Sequence, residues 1–212
     1  MRILSHRGFW LEPSEKNTSG AFDRSFRSGF GTETDIRDHD GRVVIAHDPP
    51  LHGASTAEDM LTLHTAIDPA LPLALNVKAD GLQAMTAALL ERFALTEAFV
   101  FDMSIPDMLQ WLKTGVPVYA RLSDVEPEPL LADRCAGIWL DAFHSDWWDS
   151  TTIERQLSAG RRVCIVSPDL HRRDHRPVWD RLAAAAAVIA TDDVMLCTDL
   201  PQAAKEFFDS GH

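Results

Sequence analysis

Short apolar runs and helix-patterned segments alternate eight times along this chain, and that alternation constrains the fold more than any other feature. The strand-like runs are Ile3 to His6, the segment opening at Thr32, Leu71 to Lys78, Ala98 to Phe101, Val116 to Leu122, Ile138 to Phe143, Arg162 to Val166 and Val194 to Cys197. Helix signals lie between them. Asn17 or Thr18 caps a segment with Ala21, Phe22, Ser25 and Phe26 on one face, and Gly29 stops it. Ser55 to Ile67 follows, then Leu82, Met85, Leu89 and Phe93 at helical spacing, then a Ser104 cap before Ile105, Met108, Leu109 and Leu112. Pro129 to Cys135 is a weak helix pattern. Thr151 and Glu154 form a capping-box pattern, and Val178 to Ile189 is rich in alanine. Asp199 and Pro201 read as the cap and first residue of a terminal helix.

Strand–helix alternation of this kind implies a parallel sheet with helices outside it. Eight units predict an α/β fold closed into a (β/α)8 TIM barrel, and 212 residues is near the lower end of its size range. The rival, an open doubly wound sheet, usually has fewer strands, and no glycine-rich nucleotide motif stands where it would need one. With no linker and no low-complexity tail, a single barrel domain over residues 1–212 is expected.

Charge narrows the partners. Lys and Arg number 20 against 32 Asp and Glu, a formal net charge of -12. Such a surface argues against nucleic acid and against docking on anionic lipid. Cys135, Cys164 and Cys197 form no CxxC pair, so neither a zinc ribbon nor a disulfide framework is expected. The opening MRILSHRG has no apolar signal region, and Leu182 to Ala190 is too short to span a bilayer. The expected location is the cytoplasm, with no stable membrane insertion and a small-molecule substrate.

The chemistry gathers at the carboxyl ends of the first three barrel strands, where a (β/α)8 barrel builds its active site. His6 and Arg7 end the first. The second carries Glu33 and Asp35 at i and i+2, on one face, and after the Asp40-Gly41 turn a short return strand delivers His47 and Asp48. Asn76 and Lys78, again at i and i+2, end the third. Two carboxylates suit a hard divalent cation, Mg2+ or Ca2+, better than zinc. Arg7 and Lys78 can hold phosphate oxygens, and two imidazoles can serve as general acid and base near neutral pH. The combination describes phosphoryl-ester chemistry.

SHRG at 5–8, KNT at 16–18, GTETDIRDHDG at 31–41, HD at 47–48, NVK at 76–78 and CTDLP at 197–201 resemble, in order, the glycerophosphodiester phosphodiesterase family. The related phosphatidylinositol phospholipases C and sphingomyelinases D share the barrel and the use of two histidines. The resemblance implies a PLC-like phosphodiesterase barrel acting on a glycerophosphodiester-like or other small phosphodiester of lipid metabolism. It makes His6 and His47 the catalytic pair, Arg7 and Lys78 the phosphate contacts, and Glu33, Asp35 and Asn76 the metal ligands. The nucleophile it implies is the substrate's own neighbouring hydroxyl, giving a cyclic phosphate that water opens.

Three departures bear on the substrate. Asn76 stands where the family usually has Glu, Lys16 replaces a glutamate with Glu15 one place earlier, and the stretch from Leu51 to Leu71 is short. Two rival functions follow: an inactive barrel that binds a phosphorylated ligand, which Asn76 favours and the two histidines oppose, and a lyase that stops at the cyclic phosphate. Asp102 and Asp141, at the ends of later strands, are further substrate contacts to test. His39, His52, His64, His144, His171 and His175 read as surface or loop residues.

Overall fold

A computed structural model of the chain describes residues 1–50 and 52–210. Its strands are β1 (Arg2–His6), β2 (Gly31–His39), β3 (Arg42–Ile45), β4 (Leu73–Val77), β5 (Ala98–Phe101), β6 (Tyr119–Leu122), β7 (Gly137–Leu140), β8 (Arg162–Val166) and β9 (Val194–Thr198). Its helices are α1 (Ser19–Arg27), α2 (Ala57–Ile67), α3 (Gln83–Arg92), α4 (Ile105–Trp111), α5 (Ser150–Ser158), α6 (Arg176–Ala184), α7 (Ala186–Ile189) and α8 (Pro201–Asp209). The strand order is β5-β4-β2-β1-β9-β8-β7-β6, with β3 added beside β2. The pairs β2–β4, β4–β5, β6–β7, β7–β8 and β8–β9 are parallel, and β3 runs antiparallel to β2. Among the described residues the eight parallel-type strands are thus present as the pattern predicts, with an α-helix after each except β6, and β3 is the return strand read from Val43-Val44-Ile45.

Two compact units divide the chain: Ser5–Val118, and Met1–Leu4 together with the residues from Tyr119 onward. In the first, Gly31 to Ile36 of β2 and all of β4 are buried, as expected of strands covered on both faces. Helix α1 closes over them with Ala21, Phe22, Ser25 and Phe26. Its cap is Thr18, whose Oγ1 accepts from the Ala21 amide. Val118 makes a parallel bridge to Val100, and the Val100 amide donates to Pro117 O at 2.9 Å. In the second unit β9 is buried throughout, and Val178, Trp179 and Leu182 of α6 are buried with it.

Local chemistry moved several boundaries. Helix α3 buries Thr86 and Leu90, with Leu82 before them, rather than the Met85–Leu89–Phe93 stripe. The adjacent Leu89-Leu90 pair supports either stripe in sequence, and packing chose one. Helix α4 buries Trp111, whose Nε1 donates to Asp107 Oδ2 at 2.9 Å, and leaves Leu109 exposed. Asp149, not Thr151, caps α5 through the Thr152 amide. The alanine-rich segment breaks at Ala185 into α6 and α7. Pro129 to Cys135 yields only a 3-10 turn at Ala132–Arg134. Pro201 does open α8, but Asp199 is not its cap; its amide donates to Asp169 Oδ2 at 2.7 Å.

Candidate active site

The site is built within the first unit. Ser5 anchors it from below: its hydroxyl lies 2.7 Å from Ser25 Oγ and 2.9 Å from Thr32 Oγ1, all buried. The same Thr32 Oγ1 accepts from the Gly8 amide at 3.1 Å. Arg7 and Gly8 both turn through positive φ, 59° and 84°. A Cβ on Gly8 would lie 2.8 Å from Ala21 Cβ, so this glycine lets the loop after β1 lie on α1. The Arg7 amide then donates to Glu33 O at 2.8 Å, which brings the end of β1 beside β2.

Register does the rest. Asp35 is paired with Asn76 across the parallel β2–β4 ladder, and the Lys78 amide continues it by donating to Ile36 O at 3.0 Å. Side chains in register on adjacent strands share a face, so Glu33, Asp35, Asn76 and Lys78 emerge on one side of the sheet. Glu33 and Asp35 are fully buried.

Asp35 is the hub. Its Oδ2 lies 2.9 Å from Arg7 Nε and accepts from Asn17 Nδ2 at 2.9 Å, and its Oδ1 lies 3.6 Å from Lys78 Nζ. Asn17 also accepts from Thr34 Oγ1 at 2.8 Å. It holds a left-handed conformation, φ 61°, tied by its amide to Arg7 O at 2.9 Å. Asn17 was not among the site residues expected; its place in KNT was the only signal. His6 Nε2 lies 3.8 Å from Glu33 Oε2. Burial pushes the Glu33 carboxyl up from 4.5 to about 7; the His6 charge opposes the rise, Asp35 adds to it, and Arg7 and Lys78 oppose it.

Three buried oxygens in this cluster accept no hydrogen bond: Glu33 Oε2, Asp35 Oδ1 and Asn76 Oδ1. Glu33 Oε2 and Asp35 Oδ1 face His6 and Lys78 beyond hydrogen-bond distance, and buried polar atoms are nearly always satisfied, so the three oxygens leave room for a ligand. An all-oxygen donor set fits a hard divalent cation.

His47 stands apart from this cluster. Ala46, just before it, donates its amide to Asp35 O at 3.1 Å, but the His47 side chain is 46% exposed and its Nδ1 lies 3.0 Å from Asp48 Oδ1. Its backbone is held by Arg37 Nε, which donates to His47 O at 3.0 Å. Glu15, the shifted glutamate, is occupied in a structural role: it pairs with Arg24 and accepts from the Leu11 amide at 2.7 Å. Lys16 Nζ lies over the Trp10 ring, 4.5 Å from its centre. His64 is a core residue and not a surface one; its Nε2 lies 3.0 Å from Leu71 O and its ring meets Phe26 edge-on.

In the second unit, Asp141 Oδ1 accepts from the Ala142 amide at 2.8 Å and lies 2.6 Å from His171 Nε2. His171 is therefore engaged at a strand end, which its loop position in sequence concealed.

Solved structures resemble the whole chain. A glycerophosphodiester phosphodiesterase from Agrobacterium tumefaciens matches with a TM-score of 0.69 at 16% identity, covering 99% of both chains. A glycerophosphoryl diester phosphodiesterase from Parabacteroides distasonis gives 0.67 at 14% identity, over 99% of this chain and 86% of the other. The fold these structures share with the chain is a (β/α)8 barrel. A Ca2+-dependent phosphatidylinositol-specific phospholipase C from Streptomyces antibioticus shares it at 0.55 and 10% identity, over 96% and 95% of the two chains. No protein-family model matches the chain, and no curated protein matches it in sequence. At the level of fold, the resemblance read from the motifs holds. Among the described residues no helix is long and apolar enough to cross a membrane.

Proposed function

We propose that this barrel is a metal-dependent phosphodiesterase that cleaves a small phosphodiester by acid–base catalysis with two histidines. One observation carries the reading: three buried oxygens on Glu33, Asp35 and Asn76 that accept no hydrogen bond stand among Arg7, Lys78 and His6. Those three residues would hold Mg2+ or Ca2+, and the bound ion would supply charge neutralisation at a non-bridging phosphate oxygen.

Arg7 and Lys78 now rest on the two oxygens of Asp35. A phosphodiester offers a like pair of anionic oxygens, so both cations can turn from Asp35 to substrate. Asn17 stays on Asp35 and keeps the carboxylate oriented. His6, mostly buried beside a carboxyl that titrates near 7, is placed to hold or pass one proton at Nε2. His47, on the exposed segment after β3, exchanges the other with the alcohol or with water. Its contact with Asp48 orients the ring, and its part would be to protonate the leaving alkoxide.

The single barrel domain, the cytoplasmic location and the glycerol-type substrate belong to the same reading, supported by motif order from Ser5 to Pro201. The test is turnover of an aryl phosphodiester with and without Mg2+ or Ca2+, followed by phosphorus NMR of the products from a glycerophosphodiester. A metal-stimulated phosphomonoester product is expected. A cyclic phosphate that persists would make the protein a lyase. No turnover with any tested diester, together with binding of a phosphorylated ligand, would make it an inactive barrel.

A further inference from the structure

A second cluster lies on the same hairpin and is unused by the reaction above. We propose that His39, Asp40 and His52 form a binding site for a first-row divalent transition metal, with Zn2+ as its representative. Their ligand atoms all lie within 4.8 Å of one another. His39 Nε2 and Asp40 Oδ2 are 3.5 Å apart, close to the roughly 3.3 Å between donors in a tetrahedral zinc shell. The His39 and His52 rings meet edge to face with centres 5.7 Å apart, so rotation of the exposed His52 ring closes the set. His39 Nε2 is also shielded from solvent and faces the Asp40 carboxylate without a hydrogen bond to it, which leaves the nitrogen open to a ligand.

Folding brings these three together from a distance in sequence. Asp40 and Gly41 are the two turn residues between β2 and β3, with φ of 48° and 71°, as a tight hairpin turn requires. His39 ends the ladder opposite Arg42, and His52 returns on the segment that has just carried His47. The site is separate from the oxygen cluster. Four strand residues from Asp35 to His39 span about 13 Å. It also differs in kind: two imidazoles and one carboxylate select Zn2+ and its neighbours, whereas Mg2+ prefers oxygen and keeps its waters. Three protein ligands leave a position for water. An ion here would tie the β2–β3 turn to the segment following His47, and so restrain the exposed half of the proposed acid–base pair.

The test is calorimetric titration of Zn2+ in excess Mg2+, with wild type, His39→Ala, His52→Ala and Glu33→Gln. Wild type and Glu33→Gln should each take up one equivalent. The two histidine variants should bind it at least about 10²-fold more weakly, since even changes outside the ligand set cost 10–100-fold. Equal affinity in wild type and both histidine variants overturns the proposal, as does a wild type that takes up no Zn2+. Loss of the equivalent in Glu33→Gln alone also overturns it, by assigning the ion to the barrel site, and leaves the phosphodiesterase reading standing. Should the alanine variants fold poorly, Co2+ bound to wild type gives the answer. Absorption of a four-coordinate, imidazole-ligated ion supports the site, and the weak bands of an all-oxygen octahedral ion overturn it.

Discussion

The two units treat their strand-end acids in opposite ways. In the second, acids fix loops: Asp124 accepts from the amides of Phe143, His144 and Ser145 at 2.9, 2.7 and 3.2 Å, and Asp141 accepts from Ala142 and pairs with His171. Partial burial pushes the Asp124 carboxyl up, but the amides of His144, Phe143 and Ser145 outweigh it and hold it below the usual carboxylate range. In the first unit, Glu33 is deeply buried, keeps an oxygen without a hydrogen bond, and is driven up to about 7. An acid saturated by backbone amides is scaffold. An acid buried with an open oxygen is unfavourable until something binds it, and a metal is what two carboxylates and an amide oxygen bind.

The sharpest way to break this contrast is to remove the open acids. Glu33→Gln and Asp35→Asn should abolish metal-stimulated turnover, a loss of about 10³-fold or more given the several kcal/mol that a metal contributes to such chemistry. Calorimetry should show metal binding lost in parallel. Full turnover of wild type in excess chelator would remove the metal from the mechanism.

Next in size are the histidines. His6→Ala and His47→Ala should each lower kcat by about 10²-fold or more, with little change in Tm. Near-normal kcat in His47→Ala, measured at saturating substrate, would mean that the exposed imidazole is a bystander and that His6 has another partner.

Titration separates the two kinds of acid. Glu33 has a folded-state value near 7, above its ordinary 4.5, so the folded protein keeps a proton that the unfolded chain gives up. Its contribution to stability is full below about pH 4.5 and is lost as pH rises through about 7, by up to roughly 3 kcal/mol. Metal-free protein should therefore melt at lower temperature at pH 8 than at pH 6. Mg2+ affinity should rise over the same interval, because the ion displaces that proton. Thermal melts of wild type and Glu33→Gln check it: a pH slope that survives in the variant belongs to another group. Asp124→Asn, by contrast, should cost about 1–3 kcal/mol of stability and leave metal affinity unchanged.

The smallest effect is at Asn76. Its amide oxygen brings no charge, so metal should bind weakly alone and more tightly with a phosphodiester analogue present. Asn76→Glu should tighten binding to the empty site by about tenfold, the scale of one added Coulomb contact at partial burial. Equal metal affinity in wild type and Asn76→Glu would take Asn76 out of the ligand set.

The sequence alone determined the barrel class and put the candidate acids and basic residues on shared strand faces. Strand and helix periodicities are local properties, and eight of them in alternation leave few architectures. Glu33 with Asp35, and Asn76 with Lys78, share faces because a strand repeats every two residues, whatever surrounds it. Tertiary structure decided everything that depends on which of two equivalent options packs. It chose Leu90 over Leu89 for the buried side of α3, drew His64 into the core against Phe26, and set Asn17 on Asp35. It also kept His47 on the exposed segment while His6 sits beside Glu33, although the motif treats the two histidines alike. The meeting of His39 with His52, and of Asp141 with His171, was equally hidden. Residues thirteen or thirty apart become neighbours only when a turn or a loop closes between them, and no local pattern records where a loop closes.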